Sequence, residues 1–184
     1  PQFVFNALFD GVVQQRGATL GVRYFDRDNK MGVRLGVQAE MVDSGLNLHL
    51  VPERPTLGYK EFNLNKDNFI LLGHDKKVQA KIDLVADDGT GVKLYSTDSD
   101  PTALQDVTLS LNRFNLAEVT SVLPYVPRMS GLMDGDFHVI LDAAGHLSVV
   151  SDMQVQNMTY EHSPLGHIST ELVYLQKEDD AHAI

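Results

Sequence analysis

The chain has 184 residues, 43% of them hydrophobic and 22% charged, a balance typical of one folded domain or two small ones. Its formal net charge of -10 argues against binding to nucleic acid or to anionic membrane surfaces, which both attract clustered lysine and arginine. The absence of cysteine excludes disulfides, thiol catalysis and cysteine-ligated zinc. No apolar run reaches the roughly 18 residues that a membrane-spanning helix needs. Because the sequence begins at Pro1 and stops at Ile184 just after a strand-like segment, we expect a piece of a longer protein.

Apolar and polar residues alternate with period two along most of the chain, which predicts strands with one apolar and one polar face. The alternation occupies 33–39, 46–50, 78–84, 107–111, 137–141, 147–155 and 168–174. Antiparallel sheets can leave one face in water, so this pattern favours a meander over a parallel α/β sheet. The predicted fold class is all-β, either an elongated antiparallel meander or a curved β-groove.

Three similar turns separate the predicted strands: "VDSG" (42–45), "ADDG" (86–89) and "DAAG" (142–145). Each places a glycine where a type I turn followed by a left-handed residue would form a bulged hairpin loop. Glycine adopts that left-handed conformation at little cost. The sequence therefore predicts hairpins at all three places.

One segment departs from the strand pattern. In "NLAEVTSVLP", Asn115 and Glu118 stand at capping-box spacing, and Pro124 closes the segment. We expect one short helix near 115–123, covering one end of the sheet.

The segment "DGDFH" (134–138) contains the strongest candidate for a metal or acid/base site. Calcium loops require a glycine at the sixth position, which "DRDNKMG" (26–32) fills with Met31 and "DGDFHVILDAAG" (134–145) fills with Val139. No HExxH, GxSxG or glycine-rich phosphate loop occurs in the sequence. We therefore interpret Asp134 as the start of a strand, and Asp136 and His138 as solvated groups on its polar face. No enzymatic activity, cofactor or metal is predicted.

Two further segments allow two interpretations each. "KEDD" (177–180) is most simply a charged loop or strand end, with a basic partner surface as the alternative. "LPYVP" (123–127) fits a rigid connector after the helix, with a proline-rich recognition site as the alternative.

Four stretches between residues 114 and 175 carry a family resemblance: "FNLAEVTSVLPYVP", "SGLMDGDFHV", "LSVVSDMQVQNMTY" and "PLGHISTELVYL". This part of the chain resembles the TamB family of translocation and assembly module proteins (the DUF490-type domain), within the wider AsmA-like group. The likeness is to forms of the Bacteroides lineage. Residues 57–113 resemble the family only in the general style of their sequence. Residues 1–56 share with it only the alternation of apolar and polar residues. We expect one β-rich fragment, with a meander over 1–113 and a short helix plus strands over 114–184.

This resemblance implies a long protein anchored in the inner membrane of a Gram-negative bacterium, with most of its length in the periplasm. Members of the family have a taco-like β-sheet with a greasy concave face. They are associated with outer-membrane protein assembly and secretion, and with lipid transport between the two membranes. The resemblance also implies a partner, an outer-membrane assembly-factor barrel protein, docked through a C-terminal part that this sequence lacks.

A sheet with one apolar face must cover that face against a second layer or around a guest. The leading hypothesis is a non-enzymatic groove for phospholipid acyl chains, and the same side chains forming a closed core is the equal alternative. The candidate lining residues are Val78, Ile82, Leu84, Val107, Leu109, Leu111, Phe137, Val139, Leu141, Leu147, Val149 and Met153. A second hypothesis is an assembly module that pairs its edge strands with another protein.

Overall fold

The protein is described by a computed structural model over residues 6–14, 17–97, 102–122, 126–176 and 182–183. These residues form one sheet of thirteen strands and one short helix, α1. The elements in chain order are β1 Asn6–Gln14, β2 Gly17–Phe25, β3 Met31–Val42, β4 Gly45–Leu57, β5 Lys60–Leu64, β6 Phe69–Gly73, β7 Val78–Ala86, β8 Gly91–Ser96, β9 Gln105–Asn115, α1 Leu116–Val122, β10 Met129–Leu141, β11 Leu147–Tyr160, β12 Ser163–Gln176 and β13 His182–Ala183.

The sheet is a meander in which nearly every strand pairs with its neighbours in sequence. Its order is β1-β2-β3-β4-β5-β7-β8-β9-β10-β11-β12-β13, and β6 pairs with β4 and β7 beside this path. The described ladders are antiparallel except at one point, where Val78 of β7 pairs in parallel with Gln105 of β9 beyond the end of the short strand β8. The predicted all-β antiparallel meander is confirmed.

Strand β4 is divided between two neighbours. Its first residues, Gly45 to Leu48, pair with β6, whereas Thr56 and Leu57 pair with β5. Between these parts the register against β3 jumps, because Gly36 faces Val51 while Arg34 faces Thr56. The two short strands β5 and β6 therefore lie one after the other between β4 and β7, where the tightest packing of the molecule is found.

The same type of hairpin loop occurs at several places along the sheet. At 86–90 and 142–146 the left-handed position holds glycine, with φ of 85° at Gly89 and 88° at Gly145. The Gly89 N–H donates to the Ala86 carbonyl over 3.0 Å, and the same bond joins Gly145 to Asp142. These two predicted turns are confirmed.

Two further copies of this loop were not predicted, and at 42–45 the predicted hairpin forms with a different type of turn. At 26–30 and 73–77 the same hydrogen bonds form with Asn29 (φ 58°) and Lys76 (φ 68°) in the left-handed position. At 42–45, by contrast, Val42 pairs directly with Gly45 across a two-residue turn, and Gly45 has a φ of 150°. Gly45 is required there because a Cβ would come within 2.1 Å of the Leu72 carbonyl oxygen.

The predicted helix is confirmed at Leu116–Val122. Asn115 caps it, since its side-chain oxygen accepts a hydrogen bond from the Ala117 N–H over 3.0 Å. Its side-chain amide also donates to Glu118 over 3.3 Å, so both predicted capping residues are engaged at the first turn. The closing residue Pro124 lies outside the described residues.

Candidate functional site

The twelve side chains predicted to line an apolar surface all lie on one side of the sheet. Residues directly opposite each other in an antiparallel pair share a face. Val139 of β10 lies opposite Val107 of β9 and Val149 of β11, and Leu109 lies opposite Phe137. We call this side the apolar face. Its predicted members are Val78, Ile82 and Leu84 on β7, Val107, Leu109 and Leu111 on β9, Phe137, Val139 and Leu141 on β10, and Leu147, Val149 and Met153 on β11.

The strand that joins β7 to β9 was not predicted. Leu94 of β8 lies opposite Ile82 on one side and Leu109 on the other, so it completes the apolar face between them. The signal was present in "GVKLYS", where Val92 and Leu94 alternate with polar or amphipathic residues. Only two apolar residues alternate in this segment, too few to separate it from a loop by pattern alone.

The apolar face continues in both directions beyond the predicted residues. Towards the start of the chain, Leu20 of β2 lies opposite Val37 of β3, which in turn lies opposite Leu50 of β4. Towards the end, Ile168 of β12 lies opposite Val155 of β11. The face therefore extends from the first described strands to β12.

Charge is segregated to the opposite side, which we call the outer face. Between Val78 and Tyr174, the apolar-face positions of the described strands carry no charged side chain, and their polar members are Ser96, Gln105, Ser151 and Thr170. The outer face carries a row of side chains directly opposite one another on successive strands from β7 to β12, namely Asp83, Lys93, Ser110, Asp136, Asp152 and Glu171. Between β7 and β12 one side of the sheet is thus uncharged, and the other carries the charges together with exposed apolar residues such as Val85 and Val150.

Burial along the apolar face is uneven. In the middle, Ile82 and Leu84 are 7% and 4% exposed and pack with Phe62 and Leu64 of β5. Of the twelve predicted residues, the other ten are half-buried. Near the first edge, Leu20 on the same face is 63% exposed. The face is therefore a closed core under β5 to β7 and an accessible surface at Leu20, while Val155 of β11, on the same face, is buried as well.

The total accessible surface agrees with an open sheet. A compact monomeric protein of this mass exposes about 8800 Å², whereas this chain exposes 11878 Å². All thirteen strands belong to one sheet, and the buried side chains at the centre of the apolar face pack with those of neighbouring strands.

Helix α1 braces one margin of the sheet, where β5 starts and β9 ends. At this margin the side chain of Lys60 in β5 forms two ion pairs. Its Nζ lies 2.9 Å from a carboxylate oxygen of Glu118 in α1 and 2.7 Å from one of Asp88 in the turn after β7. Burial opposes the charge of Lys60, but hydrogen bonds with Asp88 and Glu118 outweigh that effect and raise its pKa. The hydrogen bond from Lys60 likewise holds the pKa of Asp88 well below its usual range. Gly58 lies against Glu118 as well, so the helix crosses the ends of the intervening strands.

On the outer face, contact with a buried carboxylate corrects the interpretation of His138. Its Nε2 lies 2.6 Å from Oδ1 of Asp106, a residue only 5% exposed, and Thr97 donates its hydroxyl hydrogen bond to the same oxygen. His138 is therefore tied into the sheet and is not a freely solvated group. This pair could not be predicted from a local pattern, because 32 residues separate its members.

Asp134 and Asp136 differ in role. Asp136 is exposed on the outer face, as predicted. Asp134 does not start a strand, since β10 begins five residues earlier at Met129, and its Oδ1 accepts a hydrogen bond from the backbone N–H of Arg113. Among the described residues, no three His, Asp or Glu side chains stand close enough together to hold a metal ion.

The two segments for which the sequence allows two interpretations lie wholly or partly outside the described residues. "KEDD" (177–180) lies outside the described residues, and so do residues 123–125 of "LPYVP".

No family model, curated protein or solved structure matches this chain. Within the ranges that the structure covers, no helix has the length and apolar character needed to cross a membrane.

Proposed function

We propose that this chain is a non-enzymatic β-groove segment that carries phospholipid acyl chains on its apolar face. In this proposal it belongs to the periplasmic part of a TamB-like or AsmA-like protein anchored in the inner membrane. It supports lipid transport to the outer membrane and outer-membrane protein assembly. The observation that carries the proposal is the half-open apolar face, which carries no charged side chain on the described strands from β7 to β12, while the charges of these strands lie on the outer face.

The dimensions of this face suit hydrocarbon chains. From β7 to β12 it crosses five strand spacings, or about 24 Å, whereas one leaflet of a bilayer contributes about 15 Å of hydrocarbon. Each CH₂ group transferred from water to such a surface contributes about 0.8 kcal/mol. Ten half-buried apolar side chains, among them Leu109 and Val139, offer that contact without further opening of the fold.

In this proposal the twelve lining candidates have different roles, which their burial supports. Ile82 and Leu84 are already buried by neighbouring strands, so they act as core. Leu109, Val139 and Val149 retain accessible surface on the same face, so they supply the lipid contact, whereas Val155 of β11 is buried and acts as core. A fully sealed core would have buried Leu109 and Val139 as deeply as Leu84.

The proposal is tested by a pair of adjacent photo-crosslinking positions. The chain, produced in a Gram-negative periplasm, should yield phospholipid on solvent extraction and mass spectrometry. A photo-reactive residue at Val139 should crosslink to lipid, and the same residue at His138 should not, because neighbouring strand residues face opposite sides. Absence of co-purified lipid together with equal crosslinking at both positions would contradict the groove.

A second candidate function, an assembly module that pairs through an edge strand, is favoured by β12. On its side away from β11, this strand pairs, among the residues that the structure describes, only at Leu175 and Gln176, with β13. Over the rest of its described length its backbone is available to another strand. Such β-augmentation is a common mode of protein recognition.

A further inference from the structure

The two margins of the apolar face, where the strands end, differ in exposure. On the margin braced by α1, Phe62 and Ala86 lie directly opposite each other and are 3% and 4% exposed. On the other margin, where β3 turns into β4 and β6 turns into β7, Met41 and Leu72 of the same face are 51% and 41% exposed. We call this second margin the open margin, because its apolar side chains are accessible from the solvent.

A row of side chains follows the open margin on the apolar face. Each lies opposite the next on the neighbouring strand, so all of them share that face. The row runs from β3 to β11 and consists of Met41, Leu46, Leu72, Val78, Gln105, Leu141 and Leu147. It crosses six strand spacings, or about 29 Å, which exceeds the roughly 15 Å of hydrocarbon in one bilayer leaflet. An acyl chain can therefore lie along this margin without leaving apolar surface.

A cavity of about 400 Å³ lies at the same margin. Its floor includes Leu71 of β6, which faces Gln79 of β7 on the outer face and directly precedes Leu72 of the apolar row. The polar side chains of its lining are Asp43, Ser44, His74, Asp75, Lys77 and Gln79. A volume of this size is typical of sites for small molecules or parts of them. The cavity and the apolar row therefore meet at one stretch of β6, with polar groups on one side and hydrocarbon on the other.

The cavity carries charges of both signs on a fixed backbone. The N–H of His74 donates to the Ser44 carbonyl over 3.0 Å, which ties together the two turns that form the cavity. The backbone N–H of Lys77 donates to Oδ1 of Asp75, also over 3.0 Å, and fixes that carboxylate at the wall. With His74 neutral, the carboxylates of Asp43 and Asp75 and the ammonium of Lys77 give the lining a net charge of -1. Such a lining matches a group with both charges better than an anion.

We propose that this cavity binds the zwitterionic head group of a phospholipid with a primary amine, whose acyl chain lies on the apolar row. The ammonium group of the lipid lies against Asp43 and Asp75, and its phosphate accepts a hydrogen bond from Lys77. The lipid thus straddles the open margin, with its head on the outer face and its tail on the apolar face. The head-group site rests on the proposed function, since the same lipid must place its acyl chain on the apolar face.

Calorimetric titration of the delipidated 184-residue chain with three probes tests this proposal. Dihexanoyl phosphatidylethanolamine and dihexanoyl phosphatidylglycerol have equal acyl chains but different head groups, and both are used below their critical micelle concentrations. The zwitterionic lipid should bind about fivefold more tightly, as expected for one exposed ion pair between its ammonium and a carboxylate. Glycerophosphoethanolamine, which has the head group without acyl chains, should bind more weakly than either lipid because it cannot use the apolar row.

Three variants and a matched control locate the site. Asp43→Asn should remove most of the preference for the zwitterionic lipid, whereas Lys77→Gln should weaken both lipids, since both carry a phosphate. Leu72→Gln should also weaken both lipids but leave the binding of glycerophosphoethanolamine unchanged. Asp87→Asn makes the same charge change as Asp43→Asn at an exposed position of the equivalent loop at 86–90, on the margin braced by α1, and should have no effect. Circular dichroism should show that all four keep their strand content.

Each contrary result identifies what fails. Equal affinities for the two lipids, or equal losses of preference in Asp43→Asn and Asp87→Asn, would overturn the head-group site while leaving acyl-chain carriage intact. Glycerophosphoethanolamine that binds as tightly as the zwitterionic lipid would show a site for soluble zwitterions and would overturn the placement of the tail on the apolar row. If none of the three probes binds, both the head-group site and the groove are wrong.

Discussion

The backbone N–H of Arg113 donates a hydrogen bond to Oδ1 of Asp134 over 2.7 Å. The bond forms where β9 and β10 lose register, between the pairs Met133↔Phe114 and Gly135↔Leu111. Arg113 has a φ of 50° and bulges out of the ladder, so its N–H lacks the usual carbonyl partner. The carboxylate replaces that partner, which gives Asp134 a structural role that its neighbour Asp136 does not share.

The first prediction compares these two aspartates. Asp134→Ala should lower the free energy of unfolding by about 1 kcal/mol, because it leaves the bulged N–H to water. Asp136→Asn should change it by less than about 0.5 kcal/mol, as expected for an exposed side chain. Urea denaturation followed by circular dichroism measures both, and equal effects would contradict the role assigned to Asp134.

The second prediction concerns the recurring hairpin loop. Gly145→Val should cost about 1–2 kcal/mol, because a residue with a Cβ resists the left-handed conformation and a β-branched one resists it more. Nothing lies within 4 Å of the position a Cβ would take, so the cost arises from the backbone alone. Ala144→Gly, one residue earlier in the same turn, is the control and should cost less. A silent Gly145→Val in thermal melts would show that the loop conformation does not matter to the fold.

The same loop shows how far sequence reasoning extends. Alternation was sufficient to predict the long strands, and glycine marked the loops at Gly89 and Gly145. Asn29 and Lys76 take the identical backbone conformation without glycine, so composition could not distinguish those turns from ordinary polar loops. The division of β4 between β5 and β6 depends on long-range pairing, which no local pattern specifies.

The third prediction tests the uneven burial of the apolar face with one substitution at two positions. Leu84→Ala should cost about 3 kcal/mol, since removal of a fully buried leucine leaves a cavity in the core cluster. Leu20→Ala, on the same face but 63% exposed, should cost less than about 1 kcal/mol. Comparable losses at both sites would mean that a second layer covers the flank of the sheet.

The fourth prediction concerns the pH dependence of the brace formed by Lys60. The lowered pKa of Asp88 gives stability that is present above its unfolded value of about 4 and is lost as the pH falls below it. The raised pKa of Lys60 gives stability that is present below about 10.4 and is lost at higher pH. Lys60→Met should therefore lower the unfolding free energy by about 1 kcal/mol between these limits, a modest figure because Asp88 is half exposed.

Thermal melts across this pH range provide the measurement. The difference between wild type and Lys60→Met should be largest near neutral pH and should shrink towards both extremes. Lys93→Met is the control, because Lys93 forms a single exposed contact with Asp83 at 3.4 Å on the outer face. A difference that does not vary with pH would show that Lys60 acts through packing of its aliphatic chain.

The members of the apolar face were easier to predict than the contacts that depend on long-range strand pairing. All twelve lining residues share one face because period-two alternation fixes side-chain direction once a strand exists. Their burial could not be predicted, because Leu84 is covered by Leu64 of β5, a short strand that the sequence did not reveal. The His138–Asp106 pair could not be predicted either, because it depends on the register between β9 and β10, which no local pattern specifies.

The last prediction places a charge on each face of β9. Leu109→Asp should keep the strand signal in circular dichroism, because a half-open face lets water reach the carboxylate. It should nevertheless reduce co-purified phospholipid several-fold, since acyl chains packed around Leu109 would have to desolvate the charge. Ser110→Asp, on the outer face of the same strand, should leave the lipid content unchanged. If Leu109→Asp fails to fold while Ser110→Asp folds, the apolar face is a sealed core, and pairing through the edge of β12 becomes the leading function.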